Sequence, residues 1–155
     1  MAGNVFDFRS GKSIKGLNPQ EVGENLERIR AKNDGTLTPD LVLSEVEKDK
    51  SHPLRDAFEW DDTKAAHQHR LLQARKLIVS VRVLNTSNGP TTAFVSVRTP
   101  DKGRNYVPTI EALSDDDLRE RLLSDARQMV ESLERRYAHL KGMGDLLDRL
   151  KKAVG

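Results

Sequence analysis

The residues best suited to chemistry lie between positions 63 and 100, where the chain carries six basic side chains and no carboxylate. At the chain-wide frequency of 24 acidic residues in 155, several carboxylates would be expected in a stretch of this length. β-Strands disfavour Asp and Glu, but helices do not, so strand propensity explains only part of the absence. The segregation predicts a surface that binds an anionic partner. Its basic residues are Lys64, Arg70, Arg75, Lys76, Arg82 and Arg98.

The rest of the chain has a different charge balance. Residues 1–62 hold 9 basic and 13 acidic side chains, and residues 101–155 hold 11 of each, which gives a net charge of +2 overall. A net charge this small does not indicate a general polyanion binder. Any binding of anions must therefore depend on where the charges lie.

The carboxylates and histidines that could suggest catalysis or metal binding have an ordinary structural explanation. Glu59, Asp61 and Asp62 could hold Mg²⁺, but they precede a predicted helix, where Asp61 or Asp62 is expected to cap the first turn. His67 and His69 are two residues apart, so on a helix they point away from each other and cannot share a metal ion. Neither GxGxxG nor GxxxxGK[ST] occurs. We therefore expect no enzymatic activity, no cofactor and no metal site.

Three helices are predicted in the N-terminal half. Residues 1–17 show no period and predict a flexible arm. Asn18 and Thr38 each precede a proline, a combination that is typical of a helix start, and the first helix is expected to end near Lys32. The third helix is expected from residue 63 to about residue 78, after a connector of roughly 13 residues. Its apolar stripe, expected to face the core, consists of Ala65, Ala66, His69, Leu72, Ala74 and Leu77.

After the third predicted helix, apolar residues recur at every second position. VSVRVLN and TTAFVSVRT alternate on either side of TSNGP, whose Asn88 and Gly89 favour a turn, so this region predicts an antiparallel hairpin. A second turn at residues 101–103 leads to a third short strand through Tyr106 and Val107.

A long helix is predicted in the C-terminal region, with Ser114 as its cap and three aspartates in its first turn. Its apolar residues recur with an eleven-residue repeat, and a length of about 39 Å, at 1.5 Å per residue, exceeds what a small core needs. Gly142 and Gly144 are expected to break it before a short terminal helix. The stripe predicts a homodimer or higher oligomer through Leu118, Leu122, Ala126, Met129, Leu133, Tyr137 and Leu140.

These elements predict an α+β fold with a flexible arm (1–17), a winged-helix-like domain (18–108) and a helical oligomerisation region (109–155). In a winged helix the third helix enters the major groove of double-stranded DNA and the hairpin contacts the backbone. Base edges would then be contacted by His67, Gln68, Arg70 and Gln73, and phosphates by Lys64, Arg75 and Lys76, with Arg82, Asn88 and Arg98 on the hairpin.

Two alternatives stay open. The connector is longer than the turn of a helix-turn-helix, and the basic helix could instead be neutralised inside the fold by the acidic N-terminal helices, through Glu21, Glu24, Glu27, Glu45 and Glu47. The chain could also be an assembly or adaptor protein that binds other proteins and not nucleic acid.

The segments FEWDDTKAAHQHRLLQARKLI and RRYAHL resemble small uncharacterised proteins encoded by bacteriophages and prophages, over residues 37–140. The resemblance implies a phage regulatory, packaging or assembly role, with a phage protein as a further partner. It carries no known activity or functional residues.

The chain contains no cysteine, so disulfides and thiol ligands are excluded, in keeping with a reducing compartment. The N-terminal residues lack the apolar run of a signal peptide, and no window approaches a membrane span. We expect a cytoplasmic protein without a membrane partner, in the bacterial host if phage-encoded.

Overall fold

The computed structural model describes residues 3–60, 66–101 and 103–155. The chain divides into two compact units, Met1–Glu111 and Ala112–Gly155. Within the described ranges, six α-helices accompany two small antiparallel sheets. This confirms the predicted α+β class.

The first unit contains three helices of ten or more residues: α1 (Pro19–Lys32), α2 (Pro39–Lys48) and α3 (Ala66–Ser80). The side chain of Asn18 accepts hydrogen bonds from two backbone N–H groups of the first turn of α1. Thr38 Oγ1 accepts one from the first turn of α2 at 3.2 Å. Both caps satisfy amides that have no partner inside the helix, as the sequence predicted.

The connector between α2 and α3 is packed against the core. Leu54 and Phe58 are buried, and a 3₁₀ turn at Arg55–Ala57 lies between them. Trp60 donates its indole N–H to the Arg55 carbonyl at 3.0 Å. These contacts confirm that the apolar residues of the connector are anchors. The predicted cap of α3 at residue 61 or 62 lies outside the described residues.

A three-stranded antiparallel sheet has the order β1 (Phe6–Phe8), β2 (Val81–Val83) and β3 (Thr91–Thr92). The prediction of an arm without regular structure is wrong for Phe6–Phe8, because these residues form the edge strand. Phe6 is buried beside Gly23 of α1. A three-residue strand is too short to show a period in the sequence.

The predicted second arm of the hairpin is divided at Ala93. Residues before it form β3, which pairs with β2, and residues after it form β4 (Phe94–Thr99), which pairs with β5 (Gly103–Pro108). The predicted strand through Tyr106 and Val107 is confirmed, and Thr99 pairs with Gly103 beside the predicted turn. A short helix, α4 (Thr109–Ser114), follows and was not predicted.

The second unit contains α5 (Asp116–Tyr137) and α6 (Met143–Val154). Asp115, rather than Ser114, caps α5, because its carboxylate accepts the N–H of the third helical residue at 2.9 Å. α5 has 22 residues and so is about 33 Å long, shorter than predicted. None of the described helices is long and apolar enough to cross a membrane.

Candidate functional site

Arg70, a predicted contact with DNA bases, belongs to the buried side of α3. Its exposed fraction is 9%, and its guanidinium donates to the Glu59 carbonyl at 3.3 Å and lies 5.4 Å from the centre of the Trp60 ring. The sequence placed His69 and Leu72 inside instead, but His69 is exposed and Leu72 is 58% exposed. The buried residues of α3 are Ala66, Arg70, Ala74, Leu77, Ile78 and Ser80.

Two further predicted contacts serve the fold. The side-chain oxygen of Gln73 accepts the backbone N–H of Glu59 at 3.0 Å, so Gln73 holds the connector beside α3. Arg82 pairs with Asp7 at 2.6 Å across strands β2 and β1. The Arg82 guanidinium lowers the pKa of the Asp7 carboxyl through this hydrogen bond. Arg82 is therefore paired with a carboxylate of the neighbouring strand, while its side chain stays 37% exposed.

The alternative of internal neutralisation accounts for part of the basic segment. Glu47 lies 3.9 Å from Arg70, and Asp7 pairs with Arg82. No hydrogen bond or ion pair joins Arg75 or Lys76 to the rest of the described chain, and both side chains are exposed. The charge that remains at the surface of α3 is thus concentrated towards its C-terminal half.

The remaining predicted DNA contacts that the structure describes are exposed. His67 and Gln68 are exposed on the first described turn of α3, and Asn88 is exposed in the loop between β2 and β3. Arg98 is exposed on β4. Lys64 lies outside the described residues.

A groove lies between the start of α2, the middle of α3 and the β4–β5 hairpin. Buried Asn105 of β5 accepts the N–H of Leu37 at 2.8 Å, and the Leu37 carbonyl accepts the N–H of Tyr106 at 2.9 Å. These two bonds fix β5 beside the residues that lead into α2. The groove has a volume of 590 Å³ and is lined by Thr38, Pro39, Asp40, Leu71, Arg75, Ser96, Arg104 and Tyr106.

Two arginines from separate elements line the groove. Arg75 comes from α3 and Arg104 from β5, and Arg104 donates to Ser96 Oγ at 3.3 Å. Arg98 of β4 is the direct cross-strand partner of Arg104, so both side chains leave the same face of the hairpin. Asp40 is the one acidic residue among the described residues that line the groove.

Arg104 was not among the predicted contacts, because it lies four residues beyond the end of the basic segment at residue 100. The register of the hairpin contained the missing signal, since a turn at residues 101–103 places Arg104 opposite Arg98. The α2 wall of the groove has no such signal. Thr38 and Asp40 approach the hairpin only through the hydrogen bonds of Leu37 with β5.

A second concave region, between α1 and α2, is neutralised internally. Glu45 pairs with Lys32 at 2.6 Å and with Lys48 at 3.6 Å. The hydrogen bond from Lys32 lowers the pKa of the Glu45 carboxyl. His52 lines the same cleft, and burial lowers its pKa. In the described ranges no three His, Asp or Glu residues lie close enough to hold a metal ion.

The residues of the predicted oligomer interface share one face of α5 and the turn after it. Leu118, Leu122 and Ala126 are half-buried, whereas Met129 is 61% exposed and Leu140 is 47% exposed. Leu133 and Tyr137 are exposed as well. Leu140 lies beyond the end of α5.

No protein family, curated protein or solved structure matches this chain.

Proposed function

We propose that this protein is a non-enzymatic double-stranded DNA-binding protein that holds the phosphate backbone in the groove between α3 and the β4–β5 hairpin. The observation that carries the proposal is the pair of arginines in this groove, Arg75 from α3 and Arg104 from β5, with Arg98 directly opposite Arg104 on the hairpin. Arginine presents planar donors that match phosphate oxygens, and helices and hairpins present such contacts in known DNA-binding folds.

The cross-strand pair Arg98–Arg104 adds a further arginine beside the groove. Like charges directly opposite in a sheet destabilise it, by up to about 1 kcal/mol. Arg98 and Arg104 occupy such a position close to the turn of the hairpin. A phosphate between the two guanidinium groups would convert this repulsion into two attractive contacts, and Arg75 would complete a three-sided clamp.

The exposed face of α3 extends this surface. Lys76 follows Arg75 along the helix and would contact a neighbouring phosphate, while His67 and Gln68, about two turns earlier, would face base edges. In this arrangement β4–β5, rather than β2–β3, takes the part of the wing. The resemblance to phage-encoded proteins makes a regulatory or packaging role our preferred setting for such binding.

The test is fluorescence anisotropy of a labelled 30-base-pair duplex between 50 and 200 mM salt. Four phosphate contacts, from Arg75, Lys76, Arg98 and Arg104, predict a slope of log K against log salt of about −3.6, or a loss of affinity of roughly 150-fold over this range. Arg75→Ala with Arg104→Ala should reduce the slope by about 2. Asp40→Asn should strengthen binding several-fold, because it removes a carboxylate from the groove.

A matched control removes the same charge elsewhere. Lys12 and Lys50 are exposed and do not line the groove, so Lys12→Ala with Lys50→Ala should leave the slope unchanged. Equal weakening by both double variants, or no binding at 50 mM salt, would refute the proposal. Equal affinity for poly-glutamate and for two unrelated duplexes would assign the groove to an acidic protein partner, as expected of an adaptor.

A further inference from the structure

The long helix α5 carries an apolar face that its neighbour α6 does not cover. Met129, Leu133 and Tyr137 follow each other at spacings of four residues, and their exposed fractions are 61%, 37% and 37%. Residues at this spacing lie on one side of a helix. Several large apolar side chains in one exposed row are typical of an interaction surface rather than of scattered surface residues.

α6 packs on a different side of α5. Buried Val130 is on that side, Arg127 donates to the Val154 carbonyl at 2.6 Å, and Glu134 pairs with Lys151 at 2.6 Å. At 100° per residue, Val130 and Glu134 lie about 60° and about 100° around the helix from the centre of the exposed row. The contact with α6 therefore leaves the exposed row open.

We infer that this face binds a second copy of the chain, with the two α5 helices antiparallel. The charges of α5 favour this orientation. Residues 115–125 hold five acidic and two basic side chains, whereas residues 126–141 hold two acidic and four basic ones. An antiparallel neighbour places the acidic half of each helix beside the basic half of the other and also aligns the helix dipoles favourably.

The side chains define a register for the pair. A two-fold axis midway between Met129 and Leu133 places these two residues opposite each other across the interface, and it places Leu122 opposite Leu140. The same axis puts the small side chain of Ala126 opposite Arg136, one residue from the ring of Tyr137. Leucines thus meet a methionine or another leucine, and the small Ala126 allows close packing of the two helices.

One charged pair fixes this register. Asp125 and Arg136 are eleven residues apart, or about three helical turns, so they lie on the same edge of the apolar face. In an antiparallel pair related by a two-fold axis, equal edges face each other. Asp125 of each copy then meets Arg136 of the other, in two equivalent contacts. A parallel pair would not bring these residues together.

The experiment is a charge exchange followed by sedimentation equilibrium. The wild-type chain should have twice its monomer mass of 17.4 kDa at micromolar concentration. Asp125→Arg and Arg136→Asp should each raise the dissociation constant about tenfold or more, since each converts two attractive contacts into two repulsive ones. The double variant D125R/R136D should restore the wild-type constant, as should an equimolar mixture of the two single variants.

Ser124→Arg is the matched control, because Ser124 is exposed on the opposite side of α5 and should not affect association. Met129→Ala removes an exposed side chain that contributes little to the monomer fold, and it should weaken the dimer without changing the melting temperature extrapolated to the monomer. A monomeric wild type up to about 100 µM would overturn the inference. So would a double variant as weak as either single one, which would indicate another orientation or partner.

Discussion

The contact between Gly23 and Phe6 gives the sharpest prediction for the fold. Gly23 lies inside α1, and a Cβ atom added there would meet the Phe6 ring at 2.2 to 2.4 Å. Carbon atoms in ordinary contact are 3.4 Å or more apart, so the ring would have to move by more than 1 Å. Phe6 cannot move alone, because it belongs to strand β1 and pairs with Val83 of β2.

Gly23→Ala therefore has two opposing effects on the free energy of unfolding, and the size of each is known. Alanine in a helix interior is favoured over glycine by about 1 kcal/mol. Overpacking a core costs about 1 to 3 kcal/mol, and expelling Phe6 forfeits about 1.5 to 3 kcal/mol of burial. The steric cost exceeds the propensity gain, so we expect a net loss of about 1 to 2 kcal/mol in the free energy of unfolding. In a Phe6→Ala background the clash is absent, and Gly23→Ala should instead stabilise by up to about 1 kcal/mol.

Urea unfolding of the four variants measures both free energies and their coupling. Gly144→Ala is the control, since Gly144 lies in the first turn of α6 with open space around the added Cβ and should give a small stabilisation in the wild-type chain. If Gly23→Ala stabilises the wild type, or has the same effect with and without Phe6, the packing of β1 on α1 is refuted.

Two further predictions concern charged side chains. Arg70→Ala should lower the free energy of unfolding by about 1 to 2 kcal/mol, through its lost hydrogen bond to Glu59, while leaving duplex affinity unchanged; weaker DNA binding with full stability would contradict the burial of Arg70. His52 Nδ1 accepts the N–H of Leu54 at 3.1 Å, and burial holds the pKa of His52 below its ordinary value of 6.5. The contribution of this hydrogen bond to stability should be full above pH 6.5 and should be lost as the pH drops through the folded-state pKa. His52→Asn should reduce this loss. An NMR titration midpoint of His52 above 6.5 would contradict the prediction.

The local elements of this chain were determined by local sequence. Asn18 and Thr38 start the first two helices because their side chains satisfy nearby amides, and this requires only residues within one turn. The turn at residues 101–103 joins two alternating segments and so specifies β4–β5. Such signals depend on hydrogen bonds between near neighbours, and they can be read without the fold.

The assignment of individual arginines was decided by tertiary structure. Arg70 and Arg75 are five residues apart on one helix and equally basic, yet one is buried against the connector and the other lines a groove. Arg82 is neutralised by a carboxylate 75 positions earlier in the chain. Composition showed that the segment is basic, but it could not show which charges the fold would neutralise.

The groove depends on contacts between residues that are far apart in the sequence. Asn105 and Leu37, 68 positions apart, hold β5 beside α2, and this contact turns three separate elements into the walls of one site. Sequence patterns report the side of a helix or strand that avoids water, but they do not report which elements meet. The apolar stripe on α5 was therefore visible in the sequence. The position of α6, which leaves Met129, Leu133 and Tyr137 exposed, followed from packing.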